Sequence, residues 1–146
     1  MDLAALVPGL VGAFVGSIGW LFVGLYINYR VGKAGARHAA RAVYFEIELN
    51  RANIDVARSY GEMLPLSRAA YEQLLPQLAN LLNVRDLSSV AAAYMSHIGY
   101  EQLRQSREHP QAARQEALSG ILAAQETATA RLKAIAFTRA EQGQLI

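Results

Sequence analysis

Cysteine is missing from all 146 residues, which removes disulfides, thiolate metal sites, cysteine nucleophiles and lipidation through a lipobox thiol together. Lysine is nearly missing: arginine outnumbers it 12 to 2, a bias met in high-GC bacterial coding. Strand alternation and internal repeats are absent. So is any phosphate-cradling loop, for neither G-x-x-x-x-G-K-[ST] nor G-x-G-x-x-G occurs. His38, His97 and His109 are scattered, with no H-E-x-x-H or E-x-x-H pair, which argues against zincin and di-iron bundle chemistry. Glu46 and Glu48 stand two apart and point to different faces of a helix. No set of groups assembles into a catalytic constellation, so neither an enzyme nor a cofactor or metal is expected. The net charge of +2 is too small to suggest nucleic acid as a partner.

Charge is also missing from one long stretch, since nothing ionisable by Asp, Glu, Lys or Arg lies between Asp2 and Arg30. The segment from Leu3 to Ile27 is apolar and long enough, at about 1.5 Å per residue, to cross a hydrocarbon core of about 30 Å. A secretory signal would carry a shorter apolar region behind a positive start, whereas this one follows Asp2. Arg30, Lys33, Arg37 and Arg41 come directly after it and no basic residue precedes it. The positive-inside rule therefore predicts an N-terminus outside and a C-terminal domain in the cytoplasm, at a bacterial inner membrane. Tyr26 and Tyr29 fit an interfacial belt, and the four basic residues are expected to meet anionic lipid headgroups. Trp20 sits deeper than a belt residue and is expected to face a partner.

Within that segment Ala5, Gly9, Gly12, Gly16 and Gly19 recur at alternating intervals of four and three, the heptad spacing. Gly12 and Gly16 form a GxxxG motif. Lipid tails are as apolar as leucine, so membrane helices gain by close backbone approach, which glycine permits. A single span has no second helix of its own to fill this face. The expected occupant is another transmembrane helix, from a second copy or from a larger complex.

Beyond the span the periodicity is helical throughout, and the fold class expected is all-α: one N-terminal transmembrane helix followed by a small antiparallel cytoplasmic bundle. The predicted division is residues 1–29 as anchor, 30–42 as a basic juxtamembrane segment and 43–146 as the helical domain. A first helix over about 34–60 carries the stripe Ala40, Val43, Ile47, Ile54 and Ala57, with Asn50 on the same face. Gly61 and Pro65 should end it. Ser67 is expected to cap a second helix bearing Tyr71, Leu74/Leu75, Leu78 and Leu81/Leu82, which Pro76 should kink or split. A third begins near Asn83 or Asp86, presents Leu87, Val90/Ala91, Tyr94 and Ile98, and stops by Pro110. In it, Tyr94 is read as packed and His97 as a surface residue. The fourth, over about 111–140, shows Leu118, Ile121/Leu122, Gln125, Ala128, Leu132 and Ile135, and residues 142–146 are expected to fray.

The function expected is a non-catalytic, membrane-anchored accessory or scaffolding subunit that packs through its glycine-striped span against other transmembrane helices. A single-pass regulatory or signalling protein is the second reading, and a homo-oligomeric pore the third. Almost nothing protrudes outside to receive a signal, and Ser17 is the span's one polar side chain short of its end, which disfavours both.

Overall fold

The computed structural model describes the backbone of residues 3–106 and 110–145, and side chains at residue 20, over 22–106 and over 110–145. Every regular element among them is helical: α1 Leu3–Tyr60, α2 Ala69–Leu81, α3 Val84–Gln105, α4 Gln111–Ala136 and α5 Arg139–Gln142. The all-α expectation therefore holds. The chain divides into two units, Met1–Ala34 and Gly35–Ile146, a division that falls inside the segment predicted to be juxtamembrane.

In the first unit, Trp20 and all residues from Phe22 to Ala34 are exposed. Arg30 lies over the ring of Tyr26 and Lys33 over that of Tyr29, at 5.5 and 5.8 Å from the centroids. Among the described residues no helix is long and apolar enough to cross a membrane, which lends the expected span no support. The side chains of residues 3–19, and with them the glycine stripe, lie outside the description.

The second unit is a bundle built on the inward face of α1. Ala36, Ala40, Val43, Ile47, Asn50, Ile54 and Ala57 are all buried, at the heptad spacing that keeps one face turned to the core. Chain direction follows from the partners. Asp86 lies by Arg131, Ala93 by Gln125 and the Tyr100 region by Leu118, so α3 and α4 run antiparallel. Arg41 meets Ala136 while Arg58 meets Gln115, so α1 and α4 are antiparallel too.

Helix ends follow local chemistry. Gly61 adopts φ +76° and its N–H donates to Ala57 O at 3.0 Å, closing α1 in the left-handed conformation that glycine enters without strain. Asn83 caps α3 by accepting from Asp86 N at 2.9 Å. Pro76 sits inside α2 without splitting it; its ring is on the exposed side. The expected fourth helix is broken at Phe137, and Thr138 with Glu141 starts α5 through a reciprocal capping box. The tail does not fray up to Leu145. Gln142 donates to Lys133 O and Phe137 O, and Lys133 Nζ donates to Leu145 O.

Apolar packing falls into two clusters. One joins Ala40, Val43, Tyr44, Ile47, Leu78, Val90, Tyr94, Leu132 and Phe137; the other joins Ile54, Ala57, Tyr100, Leu103, Leu118 and Ile121. Ile98, expected in the core, is 48% exposed: the inward line of α3 runs through Tyr94, His97 and Tyr100, which turns Ile98 away. Because Ile47 and Ile54 lie in separate clusters, Ile47→Ala and Ile54→Ala should each cost about 2–5 kcal/mol and add to within about 0.5 kcal/mol in the double variant. Urea unfolding of the solubilised full chain, followed by circular dichroism, checks this; strong non-additivity would mean one continuous core.

Candidate functional site in a buried polar layer

Between the two apolar clusters each long helix of the bundle contributes a polar residue to the interior. Asn50 on α1 and Gln125 on α4 are fully buried, and His97 on α3 is 3% exposed. The periodicity of α1 and α4 places the first two on the core face. His97 is the residue sequence reasoning misplaced, and it belongs inside. Its spacing of three from Tyr94 and three from Tyr100 is the signal that would have found it.

Glu46 organises the upper edge of this layer. Its Oε1 accepts from the Tyr94 hydroxyl at 2.6 Å and from Tyr71 N at 3.2 Å. Its Oε2 accepts from the Ser67 hydroxyl at 2.7 Å and from Ala70 N at 2.8 Å. Two of these donors are first-turn N–H groups of α2, so α2 is capped by a carboxylate from another helix. Ser67, the cap expected from sequence, instead donates to that carboxylate, and its oxygen stands 3.4 Å from Ala69 N. An anion at a helix N-terminus also meets the positive end of the helix dipole. Burial raises the Glu46 carboxyl, but the bonds from Tyr94, Ala70, Ser67 and Tyr71 outweigh it and hold the group below its ordinary value. Burial and the bond to Glu46 push the Tyr94 hydroxyl upward, and the Tyr71 ring stacks on that of Tyr94 at 4.2 Å.

The segment 61–68 is fastened to the same layer. Asn50 Nδ2 donates to Ser67 O and Ser67 N donates to Asn50 Oδ1, both at 2.8 Å. Tyr100 donates to Leu64 O at 2.8 Å. Asn50 and Glu46, one turn apart on α1, thus bind the same loop.

Across the layer, Gln125 Nε2 donates to Ala93 O at 2.9 Å and approaches His97 Nε2 at 3.0 Å. A carbonyl partner fixes the amide orientation, so His97 Nε2 must accept and the ring proton resides on Nδ1. His97 Nδ1 and Gln125 Oε1 are buried without partners. A second proton on His97 would set two donors against each other. Burial, with the Arg68 charge, lowers its pKa to about 4. Beside the layer opens a cleft of about 310 Å³ lined by Leu66, Arg68, His97, Ile98, Glu101, Gln102 and Gln105. Its acidic and basic members offset one another.

This arrangement fastens the 61–68 segment and the start of α2 to α1. A carboxylate offers about four lone-pair sites, and the four donors on Glu46 fill them, leaving none for a metal or a substrate proton. No group of three or more His, Asp or Glu that would hold a metal occurs among the described residues.

Of the residues predicted as sites, side chains are described for Arg30, Lys33, Arg37 and Arg41. Ala5, Gly9, Gly12, Gly16 and Gly19 lie outside the described side chains. Arg30, Lys33 and Arg37 are exposed. Arg41, predicted to meet headgroups with them, directs its guanidinium into the bundle: Nη2 donates to both Glu141 oxygens at 2.8 and 2.9 Å, Nε donates to Ala136 O at 3.0 Å, and the group lies over Phe137. Sequence reasoning also missed a second stripe on α1. Phe45 and Leu49 are 54% and 59% exposed on the face opposite the core, flanked by exposed Ala42 and Ala52. Comparison with protein-family models, curated proteins and solved structures finds no match to this chain.

The layer makes stability sensitive to acid. Unfolded, His97 takes its proton near the ordinary 6.5, and folded only near 4. Between those values the unfolded chain binds more protons, so the His97 contribution is complete above about pH 6.5 and is lost as pH falls toward 4. The loss should reach at most about 3 kcal/mol, at about 1.4 kcal/mol per unit. Urea midpoints between pH 4.5 and 7 should decline for the wild type and stay level for His97→Met; equal slopes would show that His97 is not the group responsible.

Proposed function

We propose that this chain is a non-catalytic, membrane-anchored accessory or scaffolding subunit. The observation that carries the reading is the charge-free run from Leu3 to Tyr29, assigned to a single helix, whose described side chains are all exposed. Trp20, Phe22, Val23, Leu25, Tyr26 and Ile27 are each at least 51% exposed and lie all around the helix. In water such a surface is costly, whereas lipid or another apolar helix covers it. Basic residues follow directly, so the bundle is assigned to the cytoplasmic side of a bacterial inner membrane with the N-terminus outside. Arg30, Lys33 and Arg37 have exposed side chains suited to anionic headgroups. Arg41, whose guanidinium is spent on Glu141, Ala136 and Phe137, contributes little there.

The glycine stripe supplies the attachment: Ala5, Gly9, Gly12, Gly16 and Gly19 offer a shallow face against which a further transmembrane helix packs closely. The bundle, whose polar groups are turned to holding its own loop and helix ends, acts by position and not by chemistry. Gly12→Leu with Gly16→Leu should lower the native mass of the gently solubilised complex and strip away co-purifying membrane helices, with the helical circular-dichroism signal retained. An unchanged native mass would count against the reading, as would release of the wild-type chain from membranes by alkaline carbonate.

A further inference from the structure

Within the bundle, α1 is apolar on two opposite faces. The inward line, Ala40 to Ala57, is buried. The outward line is Ala42, Phe45, Leu49, Ala52 and Val56, at intervals of three, four, three and four. All but the half-buried Val56 are exposed. A helix packed by one face into a single bundle normally turns a polar face outward. Here the outward face carries a second heptad seam, with Phe45 and Leu49 at its centre flanked by the small Ala42 and Ala52. The Phe45 ring is already fixed edge-on to Tyr44 at 5.3 Å and to Phe137 at 6.0 Å, so little freedom is lost when its outer side is covered.

We infer that a second copy of this chain covers this seam, α1 against α1. The inference rests on membrane anchoring as proposed above. The rim of the seam identifies the occupant. Glu48 pairs with Arg51 at 2.8 Å, Asp55 with Arg58 at 3.3 Å and Arg41 with Glu141 at 2.8 Å. Each charge beside the seam is met within the chain, so the face shows no surplus for an acidic or basic partner and no basic excess for lipid headgroups. An apolar strip with a self-neutralised rim is complementary to its own image, as a two-fold pair requires. A period of 3.5 residues is also the one at which two helices wind about each other over more than a turn. From Ala42 to Val56 the seam measures about 21 Å, which is short for a pair of free molecules. Tethering in one bilayer raises the effective concentration, and the pair we infer is parallel, with Phe45 and Leu49 each opposite its own counterpart.

The absence of native cysteine allows a direct test. Single-cysteine variants of the full chain at Ala42, Phe45, Leu49 and Ala52 are oxidised in native membranes, beside controls at the exposed Arg58 and Ala123. Disulfide-linked species at twice the chain mass are expected for the four seam positions and not for the controls. Leu49→Glu with Ala52→Glu, two exposed positions outside the core clusters, should weaken the pair more than about thirtyfold and leave carbonate-resistant membrane retention intact. Adducts to a different protein at Phe45 or Leu49 would overturn the inference, as would uncross-linked monomers at all four positions. Seam cross-links from a chain that carbonate releases would uphold the pair and defeat the anchoring instead.

Discussion

Glu46 draws the hydroxyls of Tyr94 and Ser67 and the first N–H groups of α2 onto a single carboxylate, and the arrangement of three helices follows from that convergence. A half-buried carboxylate loses part of its hydration, and here four hydrogen-bond donors replace it. The same bonds fix where α2 begins, how the 61–68 segment lies along α1, and how far α3 is slid relative to α1. Asn50 adds two further bonds to Ser67, so the loop is held at consecutive atoms by adjacent turns of one helix.

Below this edge, Asn50, His97 and Gln125 interrupt what would otherwise be continuous aliphatic packing. Apolar layers slide past one another at modest cost, whereas a misaligned amide or imidazole loses its partner in a dry interior. The layer therefore specifies register more than it adds stability, and the unpartnered His97 Nδ1 and Gln125 Oε1 are a cost it carries. On the other side of Glu46 from this layer, Arg41 secures α4 and α5 through Ala136 and Glu141, fastening the C-terminal turns to α1.

Much of the bundle was legible because a period of about 3.5 leaves a visible record. Ala40, Val43, Ile47, Ile54 and Ala57 marked the core face of α1, and Asn50 stood out on it as a polar exception. Gly61 marked the helix end for a reason of backbone geometry. What was hidden depended on distant groups. Nothing near residue 69 announces that its helix is capped by Glu46, and Ser67 was the natural local candidate. His97 was set outside because imidazole is commonly exposed, and only the Tyr94, His97, Tyr100 line reveals its burial. The break at Phe137 was concealed because the apolar period continues through Ile135 while Thr138 opens a new cap. The outward stripe of α1 was overlooked because the eye stops at one apolar face per helix.

The borrowed cap makes α2 conditional on its neighbour. Its N–H donors, Ala70 and Tyr71, reach Glu46 across 24 and 25 residues of chain, and α2 lacks a side-chain cap of its own. Thirteen residues interrupted by Pro76 have little helical tendency in isolation. That segment therefore depends on Glu46 of α1 for its start, so its helical order is coupled to the packing of a distant part of the chain.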